Sequence, residues 1–163
     1  MTSGKNHETA TKFWSVPVGI CLWFLLGLQS GLIGGLAFLI GGLWLSPDLD
    51  TSSKAQKRWG VFKGLWWPYQ KLIPHRSIWS HSPFIGTTLR MTYLIALITL
   101  VLTLLNTTHL PSPQIAFQEL RKLINIYPKQ TLAFLIGIEG SVWLHLIQDG
   151  DPIPPEIRRW KNR

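Results

Sequence analysis

The stretch that decides the fold runs from Phe13 to Leu45 and reads FWSVPVGICLWFLLGLQSGLIGGLAFLIGGLWL, without a charged residue. As one helix it would be about 50 Å long at 1.5 Å per residue, whereas a bilayer's hydrocarbon core is about 30 Å thick. We therefore predict two helices near 13–28 and 32–45, which span the membrane or form a partly re-entrant hairpin. The break is expected at residues 29–31. Glycines at four-residue spacing (Gly27, Gly31 and Gly35) would allow the helices to pack closely, or they merely loosen an apolar segment.

Two further apolar stretches complete the pattern. Residues 84–105 contain one charge, Arg90, and residues 131–147 contain Glu139 and His145, so a structural Arg90–Glu139 ion pair is expected within the membrane. Between these stretches, an amphipathic segment at 115–127 is expected at the membrane interface. The prediction is an all-α, multi-pass membrane helical bundle of about four transmembrane or re-entrant helices. Residues 1–163 form a single domain, with an interfacial loop at 48–82.

Charge is scarce and unevenly distributed. Hydrophobic residues make up 46% of the chain and charged residues only 15%, against about 25% in an average soluble domain. The net charge is +8, and the basic residues are concentrated in short segments. This distribution favours contact with the anionic lipids of a membrane surface over binding of nucleic acid. The single cysteine, Cys21, excludes an intrachain disulfide and a thiolate zinc motif.

The predicted topology gathers most of the positive charge on one side. Four crossings place the N-terminus, the 48–82 loop and the C-terminus together, and 12 of the 16 Lys and Arg residues then lie on that side. The positive-inside rule predicts that this side is cytoplasmic.

The same topology gathers residues that can bind metal. Seven of them fall at helix ends or in the loop on the predicted cytoplasmic face: His7, Asp48, Asp50, His75, His81, His145 and Asp149. Only His109 falls on the far side, and it is expected to be an ordinary loop residue. Imidazole and carboxylate ligands suit Zn, Mn or Fe. We therefore predict a divalent metal site here. Seven ligands exceed the need of one tetrahedral ion, which leaves room for two ions.

Each motif alone is weaker evidence for a metal site than the convergence of all seven residues on one face. His145 and Asp149 lie at i and i+4 on one helix face, although a helix-end pair of this kind often only contacts water. Asp48 and Asp50 end an apolar helix, where a cation would offset the unfavourable dipole, and one of them can bridge ions while the other supports it. The segment HRSIWSHS at 75–82 must bend for His75 and His81 to converge, since six helical residues turn by roughly 240°.

The sequence resembles an uncharacterised bacterial family of membrane metal-binding proteins, related to proteins described as membrane-bound metal-dependent hydrolases. The resemblance covers roughly residues 3–93 and rests on SGKNH at 3–7, SPDLD at 46–50, RWG at 58–60, WPY at 67–69, HRS at 75–77 and SH at 80–81, followed by GT at 86–87 and Arg90. His145 and Asp149 match the closing His and Asp of the family more loosely. The resemblance implies metal binding by all seven residues, including His7. Glu8 stands where an Asp is expected and is left out of the site.

Two classes of function fit these residues. The first is a metal-dependent hydrolase of a phosphoester or lipid-like substrate, in which Arg76 binds the substrate's negative charge. The second is a non-catalytic membrane protein with a structural or sensing metal site. A transporter fits less well, because Arg90 and Glu139 are the only ionisable groups predicted deep in the membrane.

Overall fold

A computed structural model describes residues 4–105 and 111–150, and every regular element in these two ranges is a helix. In chain order they are α1 (Gly4–Leu26), α2 (Leu28–Trp44), a 3-10 helix (Pro47–Asp50), α3 (Lys54–Lys57), a second 3-10 helix (Gly60–Trp66), α4 (Trp67–Leu72), α5 (Ile78–His81), α6 (Ile85–Leu105), α7 (Pro113–Ile126) and α8 (Pro128–Gln148). His109 and the basic residues after Gly150 lie outside the described ranges.

Four helical segments are long and apolar enough to cross a membrane: Asn6–Leu26, Leu28–Asp50, Ile85–Leu105 and Pro128–Gln148. They confirm the predicted all-α fold with four candidate membrane spans. The predicted start of the first helix at residue 13 is wrong, because α1 begins at Gly4. Hydropathy detects only the apolar part of this helix, whereas α1 begins with a polar extension that carries His7 and Glu8.

The reversal between α1 and α2 lies at Gly27, and not at residues 29–31 as expected. Gly27 has a φ of 95°, a left-handed conformation that glycine adopts without strain. Gly31 and Gly35 serve a different purpose, since they face α1. A Cβ added to Gly35 would lie 3.0 Å from the carbonyl oxygen of Ser15. The glycine spacing therefore produces close contact between these two helices.

Helix α8 packs chiefly on α2, again through small residues. A Cβ at Gly137 would overlap the carbonyl oxygen of Gly34 and would lie 2.9 Å from the Cβ of Ala37. Helices α1, α2 and α8 thus form the tightly packed part of the bundle. Helix α6 is more peripheral, and Gly86 and Arg90 are its only buried residues.

The segment predicted as a loop at 48–82 is mostly helical, and it shares a small core with residues of α2 and α8 such as Ala37 and Ile138. Leu49, Trp66 and Tyr69 are almost completely buried in it. Gln70 ties the segment together, because its Nε2 donates hydrogen bonds to the carbonyl oxygens of Leu49 (3.0 Å) and Thr51 (2.8 Å). The segment closes one end of the bundle.

Two further details concern Glu8 and the predicted amphipathic segment. The Arg58 guanidinium donates to the Leu43 carbonyl oxygen at 3.0 Å and forms an ion pair with Glu8, which agrees with leaving Glu8 out of the site. The predicted amphipathic segment forms α7, and none of the side chains in this fully described helix is buried.

Candidate metal centre

Four separate parts of the chain bring the seven predicted residues to one end of the bundle. They are the start of α1, the first 3-10 helix, the segment around α5, and the end of α8. Among the described residues, two groups place one ligand atom of each member within 4.8 Å of the others. The first group is Asp48, His81, His145 and Asp149, and the second is Asp50, His75 and His81.

The first group surrounds one carboxylate oxygen. The Nε2 atoms of His81 and His145 each lie 3.5 Å from Oδ1 of Asp48. Nε2 of His145 also lies 3.4 Å from Oδ2 of Asp149, as expected for residues at i and i+4 on one helix face. Two imidazoles and two carboxylates from three chain segments thus converge on a small volume.

Local structure explains why Asp48 and Asp50 serve different groups. Ser46 begins the 3-10 helix, its Oγ accepting a hydrogen bond from the Asp48 N–H at 3.4 Å, and Pro47 occupies the first turn. A 3-10 helix has three residues per turn, so Asp48, Leu49 and Asp50 point in three directions. Leu49 enters the core, while the two carboxylates flank it.

Asp50 is the carboxylate of the second group and lies between its two histidines. Its Oδ1 lies 2.9 Å from Nδ1 of His75, and its Oδ2 lies 3.4 Å from Nδ1 of His81. His75 and His81 are brought together as expected by a bend, with ring centroids 5.2 Å apart. Because the carboxylate of Asp50 faces Nδ1 of His81, the Nε2 atom of that ring is directed to the first group.

His7 contacts the first group without belonging to either one. It lies inside α1, although the sequence placed it before the first helix. Its Nε2 lies 3.1 Å from Oδ1 of Asp149, its Nδ1 lies 2.9 Å from Oε1 of Gln148, and its ring stacks on His145 at 4.4 Å. These contacts hold the Asp149 carboxylate and the His145 ring in place.

Arg76 lies at the edge of the site. Its backbone has a φ of 58°, which is unusual for a residue other than glycine, and its N–H donates to Oδ2 of Asp50 at 3.3 Å. Its Nη2 lies 3.9 Å from Oδ2 of Asp149, and its side chain remains one-third exposed. The guanidinium therefore reaches both the first group and solvent.

The electrostatics of the site favour ion pairing. Burial lowers the pKa of His81, but the neighbouring carboxylates of Asp48 and Asp50 outweigh burial and raise this pKa above its usual value. Interaction with the His145 ring holds the pKa of Asp149 below its ordinary value, against the opposing effect of burial.

Arg90 supports the site in a way that the sequence did not reveal. It is completely buried, and its Nη1 donates a hydrogen bond of 2.8 Å to the carbonyl oxygen of Ser80. Ser80 Oγ in turn lies 3.0 Å from Nδ1 of His81. The predicted Arg90–Glu139 ion pair is not among the ion pairs of residues 4–105 and 111–150. Glu139 instead accepts a hydrogen bond from the backbone N–H of Phe84 at 2.9 Å.

Two buried nitrogens without a hydrogen bond test whether the first group fits a metal ion. The Nε2 atoms of His81 and His145 are buried, and neither makes a hydrogen bond despite the ion-pair distances to Asp48. A buried polar atom without a partner is costly, and coordination to a cation would satisfy both nitrogens at once. The donor set of two imidazoles and two carboxylates matches zinc or another divalent transition metal. The residues therefore fit a metal ion.

In the described residues, an all-helical fold that brings together this His/Asp donor set is typical of a metal-binding protein. Residues 2–161 match the family described as "Uncharacterized metal-binding protein (DUF2227)", and the chain belongs to this family. It is also similar to an "Uncharacterized protein" of Aquifex aeolicus (strain VF5), with 44% identity over 61 residues. That match spans 37% of this chain and 43% of the relative. No solved structure matches the chain.

Proposed function

We propose that this protein is a membrane-embedded, metal-dependent hydrolase whose ion is held by Asp48, His81, His145 and Asp149. The observation that carries the proposal is that the Nε2 atoms of His81 and His145 are buried, make no hydrogen bond and both lie 3.5 Å from Oδ1 of Asp48. The other predicted residues orient these four. Asp50, supported by His75, faces Nδ1 of His81, and His7 faces Asp149. Such outer carboxylates and imidazoles set the tautomer and direction of metal ligands.

A second ion would have to use Asp50 and His75 as ligands. His81 belongs to both groups, but a neutral imidazole has one lone pair for a metal while its other nitrogen carries a proton. The contact between Nδ1 of His81 and Asp50 therefore favours one ion in the first group, with Asp50 as its outer support. This refines the earlier expectation of a divalent metal site, which left room for two ions among the seven residues.

A divalent ion in such a site supplies Lewis-acid chemistry, which polarises an ester and makes water a better nucleophile at neutral pH. Arg76 would bind a phosphoester oxygen, because its guanidinium is adjacent to Asp149 and partly exposed. Asp48 is the most exposed of the four ligands and marks the open side of the site. The four candidate spans and the basic loop support a site at the cytoplasmic face of a membrane.

A non-catalytic site is the second candidate, and the number of ligands favours it. Four protein ligands complete the tetrahedral shell that structural zinc prefers, whereas catalytic zinc keeps a position open. An ion of higher coordination number, such as Mn or Fe, would retain open positions with the same four residues. The identity of the metal therefore bears directly on whether the site can be catalytic.

Elemental mass spectrometry of the detergent-purified protein tests the site. We expect one equivalent of metal in the wild type and loss of it in His145→Ala and Asp149→Ala. Lys71→Ala, at an exposed residue of α4, is the control and should retain the metal. Hydrolysis of a phosphodiester such as bis(p-nitrophenyl) phosphate, dependent on metal and lost in Arg76→Ala, would support the hydrolase. Metal retained without turnover would favour the structural site, and absence of metal after reloading would refute both.

A further inference from the structure

A wide apolar groove lies between α6 and α8 and has no assigned role. Its volume is about 540 Å³, and its walls include Phe84, Thr87, Met91, Leu135, Glu139 and Trp143. Several of these side chains are exposed, among them Phe84 at 66% and Leu135 at 55%. The groove is therefore open to the surroundings of the bundle along its length.

The dimensions of the groove fit a hydrocarbon chain. Its wall on α8 extends from Leu132 to Trp143, which is about 16 Å at 1.5 Å per residue and thus roughly half of a 30 Å hydrocarbon core. Its wall on α6 comprises the first turns of that helix. Both helices are candidate membrane spans, so the groove would open to lipid and not to water. A water-soluble ligand is therefore an unsuitable occupant.

The groove adjoins the metal centre through the start of α6. Phe84 follows His81 by three residues, and its N–H donates to Glu139 on the opposite wall. Thr87 lies 3.5 Å from Nη2 of Arg90, whose Nη1 binds the carbonyl oxygen of Ser80. The same end of the bundle carries the guanidinium of Arg76 and the basic residues of the segment 54–71. The groove therefore lies next to the turn that carries His81, at the end of the bundle where the Arg76 guanidinium lies.

We propose that this groove binds the hydrocarbon chain of an anionic amphiphile, whose phosphate-bearing head reaches Arg76 and the metal centre. This inference rests on the proposed function for any chemistry at the head, but binding of the chain is separately measurable. It names the substrate class as a long-chain alkyl or acyl phosphoester that enters from the membrane. Hydrolysis would add water across the ester bond, the phosphate keeping the new oxygen and the alcohol leaving with a proton.

The groove between α1 and α2 provides an internal comparison. It is also apolar, with a volume of about 280 Å³, and it is lined by residues such as Gly19, Gly31 and Leu39. None of the residues in its walls belongs to the segment that carries His75, Arg76 and His81. Ordinary lipid at the protein surface would occupy both grooves, whereas an amphiphile selected by its head would prefer the groove next to the metal centre.

The test uses the full chain in phosphatidylcholine nanodiscs with hexadecyl phosphate that carries a diazirine in the middle of its chain. After photolysis, peptide mapping is expected to place the label on residues 84–91 and 132–143. Unlabelled hexadecyl phosphate should compete, whereas inorganic phosphate and hexadecyl trimethylammonium should not. Thr88→Trp fills the groove and should reduce labelling about tenfold, as expected for an overpacked site. Leu104→Trp, at the exposed far end of α6, is the matched control and should leave labelling unchanged.

Equal labelling of both grooves, or labelling that Thr88→Trp leaves unchanged, would overturn the proposal. Metal content measured on the same variants separates the two ideas. If labelling is specific but no phosphoester is hydrolysed, the hydrolase proposal fails while the groove remains a binding site. If a water-soluble phosphoester is hydrolysed but labelling is unspecific, only the groove is refuted.

Discussion

Replacement of Arg90 by methionine separates positioning of the metal ligands from overall stability. Methionine keeps the unbranched part of the side chain up to the position of Nε, but it removes the rest of the guanidinium with its charge and its donors. In the structure, Arg90 is 1% exposed, and its hydrogen bond to the Ser80 carbonyl oxygen holds the turn that precedes His81. Gly86 allows this close approach, since a Cβ there would lie 2.7 Å from the same oxygen.

Two opposing terms determine the effect of Arg90→Met on stability. An unsatisfied buried carbonyl destabilises by about 1–3 kcal/mol, but removing a fully buried charge recovers part of its desolvation penalty. The net change in the free energy of unfolding should therefore be at most about 2 kcal/mol. Metal affinity has no such offset. Loss of an outer contact that orients a ligand typically weakens binding by about 10–100-fold, and we expect that range here.

Chelator-competition titrations with Zn²⁺ and Mn²⁺ measure the affinity, and thermal unfolding of the metal-free protein in detergent measures stability. Arg121→Met, on the exposed surface of α7, is the control for loss of one positive charge. A variant that unfolds like the wild type but binds metal weakly would support the positioning role. Unchanged metal affinity in Arg90→Met would refute it, whatever the effect on unfolding.

Three further predictions follow from the site and the packing. Because the pKa of His81 is raised, metal affinity should increase with pH through that pKa, since the proton competes with the ion. Stability of the metal-free protein should show the opposite trend. Protonated His81 stabilises the fold beside its carboxylates; this stabilisation is complete below about pH 6.5 and is lost as pH rises through the raised pKa. Metal titrations and melting curves over this pH range test both trends. Asp50→Asn should weaken metal binding about 10–100-fold, and His75→Ala should weaken it less, since its side chain is 45% exposed; equal effects would indicate that both are ligands. Gly137→Ala should destabilise the bundle by about 1–3 kcal/mol, whereas Gly64→Ala, where an added Cβ meets nothing within 4 Å, should not; equal melting temperatures would contradict the tight α2–α8 contact.

The sequence predicts the number of long helices well because each one is marked by an apolar run. Their ends are predicted poorly for the same reason. Hydropathy cannot show that α1 continues back to Gly4, where polar residues still form helix. It also cannot choose among glycines for a turn. The structure uses Gly27 for the reversal and Gly31 for contact with α1, a division that depends on how the two helices pack.

The sequence likewise predicts some features of the candidate site and not others. Its approximate location follows from the topology, since all seven residues lie at the end of the bundle where the sequence predicted them. The separate directions of Asp48 and Asp50 depend on the 3-10 helix, and no hydropathy pattern reveals that geometry. Arg90 was assigned to Glu139 because both lie in apolar stretches. Its shortest hydrogen bond goes instead to a backbone carbonyl, and backbone acceptors carry no sequence signal.

His7 and Asp48 can lie at the same end of the bundle only if the chain reverses direction between them. A single crossing by residues 13–45 would put His7 and Asp48 at opposite ends of the bundle. In the structure, Gly27 reverses the chain, and His7 lies 3.1 Å from Asp149 while Asp48 lies 3.5 Å from His145. An even number of candidate membrane spans therefore links these site segments: two from His7 to Asp48, and two from His81 to the end of α8 at Asp149. This parity, more than any one motif, brings ligands from both halves of the chain together. An insertion that added one spanning helix between α5 and α8 would place His145 and Asp149 at the opposite end, and would abolish the site without altering a single ligand.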